Sequence, residues 1–123
     1  MPESATPRRA AEQRGRWAEF LAGAYLLCKG YRLLAHRART PYGEVDLAAL
    51  KGRTLVIIEV KARRSRIAAL EALGQQQRQR LMHAGAFLAA RWRLQSRPIR
   101  FDLVLILPRS WPVHVRDAWR AQS

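Results

Sequence analysis

The sequence predicts an α/β domain: a central mixed β-sheet flanked by helices, in the order α-β-β-β-α-β. Three observations carry this. Residues 42–64, YGEVDLAALKGRTLVIIEVKARR, read as two apolar strands around a tight turn at Lys51-Gly52. Helical patterns lie on either side of that hairpin, over about 10–29 and 70–94. A second apolar strand, PIRFDLVLIL at 98–107, follows the later helix and is stopped by Pro108. Strands interleaved with helices favour a sheet with helices packed on it. At 123 residues the chain is one domain, long enough for a core of two or three layers.

Taken in order, residues 1–9 are expected to be a flexible basic tail, and 10–123 a single domain. From Ala10 to Lys29, Phe20, Ala24 and Leu27 form one apolar line, with Leu21, Tyr25 and Cys28 beside it. Gly30 is a natural C-cap. YRLLAHRAR (31–39) is a strand, and TPYG (40–43) a turn. Residues 44–50 and 54–62 make the hairpin. RRSRIAA (63–69) reads as a basic linker. A long helix is expected from Leu70 to about Leu94, on the apolar line Leu70, Leu73, Leu81, Ala84, Leu88 and Trp92. After the 98–107 strand, a short strand near Val113–Val115 and a terminal turn or helix complete the chain.

Composition narrows the function. The formal net charge is +14, with only nine acidic residues. On a small folded domain this implies a polyanionic partner, of which nucleic acid is the usual one and a membrane surface the competitor. The single Cys28 excludes an internal disulfide and leaves no zinc pattern. No signal-peptide pattern and no apolar run of about 18 residues is visible, so a cytoplasmic, non-membrane protein is expected.

Against that scarcity of acids, the hairpin stands out. Side chains alternate across a strand, so Glu59 and Lys61 project from one face, roughly 6.6 Å apart along it. Glu44 and Asp46 also share a face. Pairing through Lys51-Gly52 brings Asp46 close to Glu59. Two carboxylates at one spot repel each other and lose hydration. A divalent cation relieves both, and ligands that are all oxygen suit Mg²⁺ or Mn²⁺. A nearby Lys can stabilise charge developing on a phosphate or orient a water. Asp, Glu, Lys and metal together suit phosphodiester hydrolysis. The competing reading is charge at a sheet edge that discourages aggregation.

The pattern GEVDL…VIIEVKARR…RFDLVLI, from about Gly15 to about Trp119, resembles the YraN family of small endonuclease-like proteins. That family belongs to the PD-(D/E)xK nuclease superfamily and is similar in core to archaeal Holliday junction resolvases. The resemblance implies a restriction-endonuclease-like core, Asp46 and Glu59 as metal ligands, and Lys61 as the catalytic lysine. It also implies that Glu19 reaches toward the metal from the first helix; by spacing, Glu19 shares with Ala22, Gly23 and Leu26 a small-residue face expected to pack on the sheet. The alternative for Glu19 is a boundary acid paired with Arg. Similar proteins often carry Lys where Gln77 stands. Gln77 can still hydrogen-bond a phosphate or water, or be a polar residue at the rim of the core. Arg63, Arg64 and Arg66 follow the Glu-x-Lys strand and are placed to hold a phosphate backbone, unless they are a solvated loop. His36, His83 and His114 show no ligand spacing and read as surface or boundary residues. Trp17, Trp92, Trp111 and Trp119 read as core or interface residues rather than base-stacking platforms.

The leading expectation is a Mg²⁺- or Mn²⁺-dependent endonuclease acting on DNA, with branched or structured DNA included by analogy of fold. The second is a nucleic-acid-binding module with a vestigial nuclease site. The third is a basic adaptor for protein or ribosomal RNA. A homodimer is compatible with each.

Overall fold

The computed structural model describes residues 7–120, with side-chain environments from Gln13 onward. Of the expected tail, residues 1–6 lie outside the described residues, and Pro7 opens the first helix. The elements are α1 (Pro7–Cys28), β1 (Arg32–Thr40), β2 (Gly43–Lys51), β3 (Thr54–Ala62), α2 (Arg66–Glu71), α3 (Gln75–Arg91), β4 (Ile99–Ile106) and β5 (Val113–Trp119). The strands form one sheet in the order β1-β2-β3-β4-β5. Neighbours are antiparallel except β3 and β4, which run parallel. A parallel pair needs a crossover, and α2 with α3 supplies it. This is the mixed α/β sheet of a restriction-endonuclease-like core.

Helices cover both faces. On one, Ala18, Ala22 and Leu26 of α1 pack against Leu47, Val56, Ile58 and Val104. On the other, Leu81, Ala84 and Leu88 of α3 pack against Leu55, Ile57, Phe101 and Leu105. Strand β3 is therefore buried on both sides, which explains its continuous apolar run. At Gly85 an added Cβ would stand 3.1 Å from both Ile57 and Phe101, so the absence of a side chain lets α3 lie close to the sheet. Gly30 closes α1. Its φ is 86°, its N–H donates to Leu27, and the Tyr31 N–H donates to Leu26, a Schellman cap.

The small-residue stripe of α1 faces the sheet, as expected, and Phe20, Ala24 and Leu27 face solvent. Two sequence expectations change. The basic linker contains a helix: Ser65 caps α2, its hydroxyl accepting from the Ala68 N–H at 3.1 Å. The long helix is broken at Gly74, which caps α3 at its start, and α3 ends at Arg91. At the other end of the chain β5 continues to Trp119, and no terminal helix follows among the described residues.

An ion network fixes β5. Asp102 is fully buried, and its carboxylate accepts two bonds from Arg100, at 2.9 and 2.7 Å. It also accepts from His114 Nε2 (2.7 Å) and the Asp117 N–H (2.9 Å). Lys29 lies 2.7 Å from His114 Nδ1, so its ammonium donates there and the imidazole proton faces Asp102. Burial alone would raise the Asp102 carboxyl. The bonds from His114, Arg100 and the Asp117 N–H outweigh it, and the group sits below its ordinary range. The His114 side chain, expected at the surface or boundary, is 2% exposed.

Candidate active site

Strands β2 and β3 pair regularly from the Lys51-Gly52 turn as far as Leu47 opposite Ile58. The next pair would be Asp46 and Glu59, and there the ladder opens. The Val60 N–H is taken instead by the Asp46 carboxylate, at 2.9 Å. The side-chain alternation of β2 breaks at the same residue, since Val45 joins the α3 core and Leu47 the α1 core. On β1 the register puts Arg37, with φ 56°, opposite Asp46. The regular ladder therefore stops at the two carboxylates.

Glu59 is buried. Its Oε2 accepts from Gln77 Nε2 at 2.8 Å and lies 3.4 Å from Lys61 Nζ. Its Oε1 is buried and meets no donor among the described residues. The Asp46 carboxyl is its close neighbour, and the two can hydrogen-bond only by sharing a proton. Burial and the Asp46 charge push Glu59 up to about 8, against the opposing pull of Lys61. Burial also raises Asp46; its bond from Val60 opposes this and the nearby Glu19 charge adds to it. Such a pair holds a proton at neutral pH or gains a cation in its place. An orphaned carboxylate oxygen beside a second carboxylate fits a hard divalent cation. Among the described residues, no group of three or more His, Cys, Asp or Glu side chains is gathered at metal-binding distance.

The remaining candidates divide. Glu19 is buried and close enough for its charge to act on Asp46, yet its own oxygens are occupied. Oε1 accepts from His36 Nε2 (2.7 Å) and Arg37 Nε (2.8 Å). The Gln77 amide nitrogen donates to Glu59. Arg63 and Arg64 line a groove of about 1020 Å³ that also contains Lys61 and Glu19. Arg66 does not; it starts α2, exposed. Glu44 is apart from the pair, exposed and 3.5 Å from Arg39.

Two features were not anticipated. Arg80 of α3 clasps the turn before β2, its Nη1 donating to the carbonyls of Tyr42 (3.0 Å) and Glu44 (3.1 Å). Gly43 has φ 106°, a conformation side chains rarely adopt, so its backbone requires glycine; Arg80 Nη1 also stands 2.7 Å from the place of a Cβ and would have to shift for one. Sequence offered Gly43 as a turn residue and nothing for Arg80. Second, Trp17 and Trp111 are 60% and 84% exposed, so neither is a core residue; Trp119 is buried and stacks on Phe101.

A family model described as "Uncharacterised protein family UPF0102" matches residues 18–106. The chain belongs to family UPF0102. The matched span runs from α1 to the end of β4 and so contains the whole carboxylate site. Similar UPF0102 proteins include one of Maricaulis maris, 55% identical over 113 residues, 91% of this chain and 89% of that one. Another, of Parvibaculum lavamentivorans, is 49% identical over 112 residues, 90% and 84% of the two chains. A third, of Mesorhizobium japonicum, is 46% identical over 117 residues, 94% of each. The YraN resemblance corresponds to this UPF0102 membership; neither the family description nor these names states an activity. No helix among the described residues of this UPF0102 chain is long and apolar enough to cross a membrane.

Proposed function

We propose that this UPF0102 protein is a Mg²⁺- or Mn²⁺-dependent endonuclease that hydrolyses phosphodiester bonds in DNA, branched or structured DNA included, in the cytoplasm. The observation that carries the reading is the buried Asp46–Glu59 pair, with Glu59 Oε1 unsatisfied and the Lys61 ammonium 3.4 Å from the other oxygen. Asp46 and Glu59 would hold the cation. When bound, it supplies Lewis acidity at the phosphodiester and favours an ionised water at neutral pH. Asp46 is oriented by the Val60 N–H, and Glu59 by Gln77. Lys61, its side chain 13% exposed, puts a positive charge where a phosphate would enter. There it offsets charge developing on the phosphate oxygens and acts on the transition state more than on binding. The net charge of +14 supports nucleic acid as substrate.

A second reading, a binding module with a vestigial site, is favoured by one observation. Glu19, the third acid near the pair, is tied to His36 and Arg37. A panel of single-stranded, duplex, flap and four-way-junction DNA with Mg²⁺ or Mn²⁺ separates the two. The nuclease reading expects cleavage that is lost with Asp46→Ala or with chelator. Binding without cleavage on every substrate, or cleavage that survives Asp46→Ala, refutes it.

A further inference from the structure

The groove beside the carboxylates has an unusual lining. Its floor is the end of the sheet, Val60, Ala62 and Ile106. Arg14, Arg63, Arg64 and Arg109 surround it, and Lys61 leads from it to Glu59. Trp17 forms part of its α1 wall. Phe20 stacks on Trp17 at 5.7 Å and 20°, which holds the indole plane while both rings remain solvent-facing. Trp111 lies on the β4–β5 loop whose Arg109, Ser110 and Pro112 form the opposite wall. Pro108 and Pro112 bracket that loop, each with its φ fixed, and Trp111 between them is 84% exposed. Large exposed aromatic rings beside a basic groove are a liability to a soluble domain unless a ligand covers them.

We propose that this groove receives a single-stranded segment of nucleic acid, with bases stacked on Trp17 and Trp111 and phosphates held by Arg14, Arg63, Arg64 and Arg109. The proposal rests on the nuclease reading for its catalytic meaning: the strand would pass Lys61 on its way to Asp46 and Glu59. Charge complementarity selects a polyanion, and the aromatic rings select unpaired bases. In a duplex the base faces are already stacked on one another and cannot cover an indole. In a single strand they are free, and each contact on an aromatic ring adds measurable affinity with little regard to sequence. Arginines alone would bind both forms through phosphates. For a flap or junction, the unpaired arm is then the part the groove engages.

The test is binding in chelator, with Asp46→Asn in every protein, so that cleavage plays no part. Anisotropy is measured with a labelled oligothymidylate and with a duplex of equal length. Trp111→Ala and Trp17→Ala are each expected to lower single-strand affinity about tenfold. Duplex affinity should stay within about twofold in both, since phosphate contacts are untouched. Trp111→Phe retains a ring and should recover most of the loss. Oligothymidylate should also quench tryptophan emission, and less so in Trp111→Ala. Unchanged single-strand affinity in both alanine variants overturns the proposal, as does an equal loss for single strand and duplex. A protein that never cleaves DNA yet shows the tryptophan-dependent preference retains the groove assignment and loses only the nuclease reading.

Discussion

Glu59 makes the stability of the metal-free protein depend on pH in a direction opposite to that of most carboxylates. The native state holds its proton up to about 8, whereas the unfolded chain releases it near 4.5. Between those values the native state binds more protons, so each rise in pH favours unfolding. Stability is therefore greatest at the acidic end of this window and falls toward pH 8. From pH 4.5 to pH 7 the loss from this group is about 3 kcal/mol, at about 1.4 kcal/mol per pH unit. Asp46 is shifted in the same direction and adds to the slope. Asp102 is depressed, so its contribution is lost only as pH falls through the acid range below its ordinary value. The two effects thus occupy separate windows. Glu59→Gln keeps an acceptor for Gln77 and gives the orphaned position a donor toward Asp46. It should flatten the curve and exceed wild type at pH 7 by an amount on the order of 3 kcal/mol, while approaching it near pH 5. The assay is urea denaturation in chelator at several pH values. A wild-type curve flat from pH 5 to pH 8, or a Glu59→Gln curve with the same slope, would show that the carboxylates do not share one desolvated site.

Other outcomes follow from the same geometry. Lys61→Ala and Lys61→Met should leave DNA affinity nearly intact and lower cleavage by roughly a hundredfold; if both variants cut at the wild-type rate while Asp46→Ala is inactive, the role assigned to Lys61 is wrong. Replacing Arg63 and Arg64 by Ala should reduce the salt slope of DNA binding by about one per lost phosphate contact; a titration insensitive to salt removes nucleic acid as a partner. Gly43→Ala forces a Cβ onto Arg80 at a left-handed φ, and should destabilise the fold by about 1–3 kcal/mol in denaturant melts. Asp102→Ala removes the carboxylate partner of Arg100 and His114 and leaves the Asp117 N–H without its acceptor; a loss of about 3–5 kcal/mol is expected, and a loss under 1 kcal/mol would make the network ornamental.

The strands were the legible part of this chain. Alternation, the Lys51-Gly52 turn and the apolar runs at 54–62 and 98–107 placed β2, β3 and β4, and alternation alone put Glu59 and Lys61 on one face. Helix α1 carries two stripes. The line through Phe20 and Leu27 is the more hydrophobic, yet the small-residue stripe faces the sheet, as its residue types suggested, since small side chains allow a helix to approach a flat surface closely. The break before α3 was hidden because Leu73 and Leu81 share an inward line across Gly74. Proximity of Asp46 to Glu59 was readable from hairpin register, but the opening of the ladder there, beside the positive φ of Arg37, depends on backbone angles that no residue type announces. Arg80 and His114 were missed for another reason. Each acts on residues far along the chain or across the sheet, and a single sequence carries no local trace of such a partner.

The hairpin tip has a practical use. Strands β2 and β3 place the carboxylates at one end of the pair and the Lys51-Gly52 turn at the other, about 20 Å away at the usual rise per residue. Gly52 is exposed, and nothing lies near the position a Cβ would occupy. Lys51 is engaged, its ammonium bonded to the Lys29 carbonyl, so the point to open is the Gly52–Arg53 bond. A fluorophore, an affinity handle or a surface tether grafted there would hold the molecule by its far end. The groove at Lys61, Arg63 and Arg64 would then remain presented to solution, giving single-molecule work on this domain a fixed orientation.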